Sequence, residues 1–222
     1  TISAETLRGY LPATANTNLK QSGVKDNQIF FVGNTMIDTL LKQRPNFKPP
    51  KLWGALHLKA KGYIVITLHR PANVDEEYQL KDIIDQIITH SEAVPLIFPA
   101  HPRTAKILAH LDIVHPRLHI VAPLGYLEFN YLVKGSKAVI TDSGGITEEA
   151  TVMNIPCITL RDSTERPETV SIGTNELVGT NPSNIKPVLD KLFANNWKKG
   201  KIPELWDGKT SDRIIEILEG II

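Results

Sequence analysis

Cysteine, an excess of one charge and long apolar runs are scarce or absent in this sequence of 222 residues. Cys157 is the only cysteine, so no intrachain disulfide can form, and a reducing compartment such as the cytoplasm is expected. Lys and Arg number 25 against 24 Asp and Glu, a balance that predicts neither a nucleic-acid nor an anionic-membrane partner. No apolar run reaches the roughly 18 residues of a membrane-spanning helix.

What the sequence does contain is an alternation of short β-rich runs with longer helical patterns. Most of these runs are continuously apolar, which is typical of parallel strands buried on both faces. They lie at residues 29–32, 63–68, 95–98, 118–121, 138–141, 157–160 and 176–178. Helical patterns lie at residues 35–42, 76–91, 104–111, 127–134, 146–153, 183–194 and 211–218. The alternation predicts an α/β protein with a Rossmann-like parallel sheet.

A proline-rich segment, QRPNFKPPK at residues 43–51, predicts a domain boundary, because its three prolines make it a stiff linker. We therefore divide the chain into residues 1–48 and residues 49–222. The first part holds one strand-like run and about two helical patterns, too little for an independent core. We expect it to be the end of a preceding domain. The second part holds six strand candidates, enough for one Rossmann-like domain.

Polar, basic or glycine-rich loops follow five successive predicted strands. Ligands of open α/β sheets bind beyond the carboxyl ends of the strands, where such loops meet. The five loops read HRPAN from residue 69, PAHPR from 99, APLGY from 122, DSGG from 142 and RDSTER from 161. Any one polar loop says little, since most loops are polar. Their convergence at one edge indicates a ligand site.

The segment TDSGGITEEA, residues 141–150, allows three interpretations. Glycines let a backbone approach an anion, and the first N–H groups of a helix attract one, so Ser143, Gly144 and Gly145 fit a phosphate. Alternatively, Asp142 or Ser143 only caps the helix. A nucleophilic serine requires G-x-S-x-G, but a threonine stands at the first position of that motif. The glycine fingerprints of Walker A and of dinucleotide-binding folds are also absent.

Histidines occur in two of the loops. His69 ends a buried strand, where an imidazole can donate to phosphate or move a proton, although a histidine bonded within its loop fits equally well. The same two interpretations apply to His101. His115 and His119 have H-x3-H spacing, but Pro116 lies between them and breaks a helix, so no metal site is expected.

Two arginines and one aromatic residue complete the set of candidates. Arg161 and Arg166 flank a T-E pair and fit either a phosphate or carboxylate of a ligand, or a structural Arg–Glu pair. Phe129 lies on a predicted helix after a strand end. It fits a core position and also a platform on which a base stacks.

Taken in order, these loops resemble the non-hydrolysing UDP-N-acetylglucosamine 2-epimerases, which have the two-domain GT-B architecture. The combination TDSGG-x-x-EEA followed by R-x-x-TERPE-x-V is highly specific. The matching segments run from residue 32 to residue 214 and read VGNTMIDTL, TLHRPANVD, FPAHPRT, PLGYLEF, TDSGGITEEA, LRDSTERPETVSIGTNELVG and WDGKTSDRI. The resemblance implies that residues 49–222 are the UDP-binding domain of the GT-B pair.

The resemblance also implies roles for individual residues. In the family the S-G-G turn holds the UDP phosphates, the second glutamate of the EEA motif binds the ribose, an aromatic residue packs on uracil and the histidine of the H-R motif is needed for turnover. These roles fall here on Ser143, Gly144 and Gly145 for the phosphates, Glu149 for the ribose, Phe129 for the uracil and His69 for turnover. Substrate binding is also implied for the R-x-x-T-E-R residues Arg161, Thr164 and Arg166.

The reaction of this family inverts carbon 2 of the sugar and interconverts UDP-GlcNAc with UDP-ManNAc. UDP is eliminated across C1–C2 to leave a glycal and is then added back, without a metal or other cofactor. The carboxylates that move the C2 proton belong to HGDT- and EAGLR-like segments of the first domain, and neither segment occurs in these 222 residues. If the chain is complete, we expect UDP binding without epimerisation. The family also implies a homodimer in the cytoplasm.

A second departure from the family concerns the segment HRPAN, where many relatives have HRREN. In the bacterial branch an arginine and a glutamate of this motif, with the next loop's histidine, help to bind a second, activating UDP-GlcNAc. Arg70 and His101 are retained here, but Ala72 replaces the glutamate. Three alternatives to an epimerase stay open: a non-catalytic UDP-sugar-binding module, a GT-B glycosyltransferase and a hydrolysing enzyme of the same family.

Overall fold

The computed structural model of the protein describes residues 19–221, and its sheet in this range has six parallel strands. They are β1 (Ile64–Thr67), β2 (Leu96–Pro99), β3 (Leu118–Val121), β4 (Ala138–Thr141), β5 (Cys157–Thr159) and β6 (Asn175–Leu177). Their order across the sheet is β3-β2-β1-β4-β5-β6. The parallel Rossmann-like sheet predicted from the apolar runs is therefore confirmed. The order reverses between β1 and β4, the position where ligands bind in such sheets.

Strands β1 and β4 are the centre of the sheet and end level with each other. Their register pairs Ile64 with Ala138 and Thr67 with Thr141, and the two threonine hydroxyl oxygens lie 2.8 Å apart. β4 is buried along its whole length, as expected for a central strand covered on both faces. Because these strands end side by side, the loops after residues 67 and 141 are neighbours.

Helices cover both faces of this sheet. All seven predicted helices lie close to their expected bounds. The helices of the described range are α1 (Thr35–Gln43), α2 (Lys51–Ala55), α3 (Pro71–Val74), α4 (Glu77–His90), α5 (Pro102–His110), α6 (Tyr126–Gly135), α7 (Gly144–Val152), α8 (Pro167–Ser171), α9 (Ile185–Phe193) and α10 (Thr210–Ile221). Short 3-10 turns lie at Asp26–Gln28, Arg44–Asn46 and Pro182–Asn184. Helices α2, α3 and α8 were not predicted, because four or five residues are too few to display a helical period.

Two apolar clusters form the core, one on each face of the sheet. The first joins inward residues of β1, β2 and β4 to α4, α5 and α9. The second joins the alternate residues of the same strands to α1, α6 and α7. Ile66 of β1 belongs to the first cluster and Val65 to the second, as alternation along a strand requires. Helix α7, which begins at the predicted phosphate turn, is therefore anchored on the second face.

The strand predicted at residues 29–32 is wrong, because this segment has no regular structure. The carbonyl oxygen of Val32 accepts a hydrogen bond from the Arg213 side chain (3.1 Å) instead of pairing with a strand. Gly33 follows with φ +114°, and a Cβ there would collide with the carbonyl oxygen of Leu205. This turn aims the chain into α1, whose first N–H groups are capped by Asn34.

The division of the chain at residues 48 and 49 stays a prediction. Helix α1, which precedes this boundary, packs against α7 and buries Ile37 and Leu40 completely in the second cluster. The segment before the boundary thus shares a core with the six-stranded sheet. The part of the predicted first-domain remnant at residues 1–18 lies outside the described residues.

Candidate functional site

The loops after β1, β4 and β5 meet at the carboxyl edge of the sheet. His69 and Arg70 follow β1, the S-G-G turn follows β4 and Arg161 follows β5. The backbone N–H groups of His69 and Arg70 both donate to the Asp142 carboxylate, which joins the first two loops. The Arg161 guanidinium lies 4.0 Å from the place where a Gly144 Cβ would stand. Predicted site residues that are far apart in sequence are therefore neighbours here.

Asp142 is fully buried and is the centre of this arrangement. Its carboxylate accepts from the N–H groups of His69 (3.0 Å) and Arg70 (2.9 Å) and from the side-chain amide of Asn73 (3.1 Å). His69 Nδ1 lies 2.8 Å from the same carboxylate. The predicted capping role of Asp142 is wrong. The N-cap residue of α7 is Ser143, and its side chain makes no capping hydrogen bond. The Asp142 carboxylate points away from α7, towards the β1 loop.

The contact between His69 and Asp142 favours the charged form of both groups. The hydrogen bond that His69 donates to Asp142 raises the pKa of His69 above its ordinary value, against the smaller effect of burial. Burial of Asp142 opposes its ionisation, but the bonds from His69, Arg70 and Asn73 outweigh burial and lower its pKa. Since the carboxylate holds Nδ1, the other ring nitrogen of this half-exposed histidine is left for a ligand.

The two glycines after Ser143 have no packing reason to be glycine. A Cβ on Gly144 would come no closer than 3.8 Å to any neighbour, and the same holds for Gly145 against the Met36 methyl group. Both distances are ordinary van der Waals contact, so the fold would accept a side chain. The first N–H groups of α7 lack intrahelical partners and carry the positive end of the helix dipole. A site where a backbone and an anion come close explains these glycines.

Both arginines after β5 form Arg–Glu pairs. Arg161 is 8% exposed and makes a bidentate pair with Glu165, at 2.7 and 2.6 Å. That pair lowers the pKa of Glu165 to about 2. Arg166 donates to the buried Glu148, which also accepts from the Asn34 amide. Both arginines thus make the structural Arg–Glu pair that the sequence allowed, and Arg161 also lies beside the S-G-G turn.

Thr164 shapes the loop between these two arginines. Its hydroxyl oxygen accepts from the backbone N–H of Arg166 at 3.0 Å. This bond orders the turn that leads into α8. The predicted role of Thr164 in substrate binding stays a prediction.

Glu149 lies one turn into α7, and the structure gives it a partner that the sequence did not indicate. It is 5% exposed and accepts a hydrogen bond from the Tyr126 hydroxyl at 2.8 Å. Burial raises the pKa of Glu149. A pocket of about 200 Å³ adjoins the tyrosine and is lined by Lys48, Gly125, Tyr126, Leu127 and Glu128. Phe129 is half-buried and packs on the second core cluster.

The residues predicted for a second ligand, Arg70 and His101, lie beside the same edge. Arg70 Nε donates to the backbone carbonyl of Asp142 at 3.0 Å. His101 caps α5 through Nδ1, which accepts from the Arg103 N–H. His69 and His101 both line a pocket of about 190 Å³ together with Thr67, Leu68, Pro99 and Pro123. The two histidines therefore share one cavity.

Residues 19–221 contain no group of three or more His, Cys, Asp or Glu side chains arranged to hold a metal ion. In the same range no helix combines the length and apolar character that crossing a membrane requires.

Sequence reasoning missed two functional features of this edge. Asn73 is buried and donates to both Asp142 and the carbonyl of Leu160, so it ties together the loops after β1, β4 and β5. Its position in the HRPAN loop after β1 places Asn73 near the site. Its partners, however, follow only from the order of the strands in the sheet. The Tyr126–Glu149 bond was likewise invisible, because 23 residues separate the pair.

Comparison with known proteins gives one consistent result. A family model described as UDP-N-acetylglucosamine 2-epimerase matches residues 11–219. The enzyme of that name from Methanocaldococcus jannaschii is 37% identical over 217 residues, which are 92% of this chain and 58% of the relative. The one from Methanococcus maripaludis is 36% identical, over 93% of this chain and 59% of the relative. The chain thus spans less than two thirds of the length of these relatives.

Solved structures agree with the sequence comparison. The M. jannaschii UDP-GlcNAc 2-epimerase in complex with UDP-GlcNAc and UDP has a TM-score of 0.77 and 38% identity, over 92% of this chain and 58% of that chain. The Neisseria meningitidis UDP-GlcNAc 2-epimerase bound to UDP-GlcNAc has a TM-score of 0.78 and 27% identity, over 93% and 59% of the two chains. The fold is that of this GT-B-type group.

Proposed function

Because the chain belongs to the UDP-N-acetylglucosamine 2-epimerase family, we propose that residues 49–222 form a UDP-binding domain that serves the interconversion of UDP-GlcNAc and UDP-ManNAc. The observation that carries this proposal is the pair Gly144 and Gly145. They stand at the start of α7 without a packing reason, and Gly144 lies beside the buried Arg161 guanidinium. A diphosphate bound at this turn would lie at the positive end of the α7 dipole, next to two cationic side chains, Arg161 and His69.

In the proposed reaction the C1–O bond of the sugar breaks and its electron pair leaves with UDP. A base removes the C2 proton, and a glycal remains between the two steps. The departing UDP gains negative charge, which the first turn of α7 and the His69 imidazolium stabilise. Re-addition of UDP to C1 and of a proton to the other face of C2 completes the inversion. The residues described supply nucleotide retention, and no cofactor takes part in the proposal.

Nucleoside binding is proposed for the α6 side of the turn. Glu149 accepts from the vicinal ribose hydroxyls, with Tyr126 holding its carboxylate in place, and Phe129 packs on the uracil. Thr164 and Arg166 support the loop that carries Arg161. Arg70 and His101 stay candidates for a second UDP-sugar. A homodimer in the cytoplasm is part of the proposal, and sedimentation of the purified protein tests the dimer.

Isothermal titration with UDP tests the phosphate turn. Gly144→Val should fold, because its Cβ has room. It should lower the affinity for UDP by more than about 100-fold, since a branched side chain keeps the phosphate away from the backbone. Ser143→Ala should lower the affinity for UDP only about two- to tenfold, because backbone N–H groups make most of the hydrogen bonds to the phosphate.

Gly54→Val is the matched control, since Gly54 is a helical glycine with open space around its Cβ position in α2. It should leave the UDP affinity unchanged. Circular dichroism checks the fold of all three variants. Normal UDP binding by folded Gly144→Val would place the phosphate elsewhere and end the proposal.

A further inference from the structure

The carboxylate of Glu165 stands directly at the proposed phosphate turn. Its Oε2 lies 3.8 Å from the position that a Cβ of Gly144 would take, at the first residue of α7. Both carboxylate oxygens are engaged by Arg161, at 2.6 and 2.7 Å. Arg161 is therefore not free to meet a ligand while this pair is intact.

Three sources of positive potential surround this carboxylate. The Arg161 guanidinium donates two hydrogen bonds to the Glu165 carboxylate, in the bidentate geometry that also suits a phosphate. The amino end of α7 lies next to it and favours negative charge. The charge of Arg70 is near enough to help keep Glu165 ionised. An acidic side chain thus occupies a position whose surroundings suit a phosphate oxygen.

The two partners of the pair differ in how firmly they are held. The Arg161 side chain is 9% exposed and follows β5, whereas the Glu165 side chain is 58% exposed and lies on the loop before α8. A pair with one exposed partner is screened by water and contributes little net free energy. Rotation of the glutamate into solvent would free the arginine without disturbing the core.

We propose that Glu165 is an internal competitor that sets the affinity of the anion site: its carboxylate occupies the anion position at Arg161 in the free protein, and the diphosphate of a nucleotide binds by displacing it. This inference rests on the proposed function for the identity of the nucleotide. The internal carboxylate lowers the affinity of every anion by the same factor. Inorganic phosphate then binds weakly, while UDP, which also gains base and ribose contacts, binds more tightly.

The test compares Glu165→Gln with wild type by titration with UDP and, separately, with inorganic phosphate. Asp85→Asn is the control, because Asp85 forms an exposed i,i+4 pair with Lys81 at 2.9 Å on α4, away from the site. Glu165→Gln should bind both anions about two- to tenfold more tightly, since the competing charge is gone. Asp85→Asn should bind them as wild type does.

A carbon-13 spectrum of labelled glutamate carboxyls gives a direct reading of displacement, with the Glu165 signal identified by its loss in Glu165→Gln. In the free protein this signal should not titrate between about pH 3.5 and 6, because Arg161 holds the pKa of Glu165 to about 2. With saturating UDP it should titrate within that range.

The outcomes separate the two proposals. Wild type that binds no UDP ends the proposed function, and the phosphate titration then still decides the role of Glu165. Unchanged or weaker anion binding by folded Glu165→Gln overturns the displacement, because the carboxylate would then be positioning Arg161. A Glu165 signal that stays untitrated with UDP bound overturns it as well.

Discussion

Asp142 shows how one buried carboxylate can set the chemistry of an exposed neighbour. It keeps its own charge because donors from the β1 loop surround it, and it keeps His69 protonated to a higher pH than an isolated imidazole. The raised pKa of His69 means that the pair stabilises the fold fully below the ordinary histidine pKa, about 6.5, and that this contribution is lost as pH rises through the raised value. The lowered pKa of Asp142 gives stability above its own ordinary value that is lost on acidification.

The affinity for UDP should fall as pH rises through the raised pKa of His69, because the imidazolium charge beside the diphosphate disappears. Asp142→Asn removes the cause of the shift, so the midpoint should move to lower pH. Titration calorimetry between about pH 5.5 and 8.5 measures both midpoints.

His69→Gln is the control for ionisation of UDP itself, whose terminal phosphate gains charge near pH 6 and so acts in the opposite direction. This variant should lose the fall at higher pH. An unchanged pH profile in His69→Gln would show that the histidine does not face the phosphates.

The sequence predicted a site residue correctly where its role depends on residues close to it in sequence, and failed where its hydrogen-bond partners are distant in sequence. The strand-end rule identified His69, the S-G-G turn and Arg161, because each loop follows a recognisable strand. It made Asp142 a helix cap, since the only donors near it in sequence belong to α7. Its true donors lie about 70 residues earlier and become neighbours only through the pairing of β1 with β4.

Helix α1 connects the segment before the proline-rich stretch to the site. Ile37 and Leu40 are completely buried in the second cluster, and Asn34, at the helix start, donates to Glu148 of α7 at 2.8 Å. Both elements lie on the same face of the sheet. The position of the S-G-G turn therefore depends on a helix outside the predicted nucleotide-binding domain.

Ile37→Ala should lower the free energy of unfolding by about 2–5 kcal/mol, the usual cost of emptying a closely packed core position. Thr39→Ala, one exposed residue of the same helix, should change it by less than about 0.5 kcal/mol. Urea unfolding followed by circular dichroism measures both. A loss below about 1 kcal/mol for Ile37→Ala would mean that α1 contributes little to this core.

Most of the strands, among them β1, β2, β4 and β5, were predictable because a continuous apolar run buries both faces of a parallel strand. The run at residues 29–32 has the same apolar composition but pairs with no strand among residues 19–221. An apolar composition predicts that a segment is buried. It does not predict whether a neighbouring strand is available to pair with it. The short helices α2, α3 and α8 escaped prediction because they display less than two full turns.

The match to the M. jannaschii relative covers 92% of this chain but only 58% of that relative, so the catalytic competence of the chain is a separate question from its fold. Incubated with UDP-GlcNAc, the 222-residue polypeptide should bind the nucleotide and form no UDP-ManNAc. The reason is that the HGDT- and EAGLR-like segments that carry the family's proton-transferring carboxylates do not occur in these residues. Chromatography of the products, with the full-length M. jannaschii enzyme as positive control, makes the measurement.

The products also separate the alternatives. UDP-ManNAc would show that these residues suffice for epimerisation and would contradict the expectation. Free N-acetylmannosamine would indicate the hydrolysing reaction, and sugar on an added acceptor would indicate a glycosyltransferase. Bound UDP with no product would leave a nucleotide-binding unit that needs further residues for turnover.

The contacts of Asp142 carry a lesson for protein engineering. This one side chain holds the backbone of residues 69 and 70, the Asn73 amide and the His69 ring, so the loops after β1 and β4 form a single unit. Grafting Asp142 and the S-G-G turn onto another doubly wound scaffold without the β1 loop would bury an unpaired carboxylate. The transplantable module is the two loops together, with the aspartate that joins them.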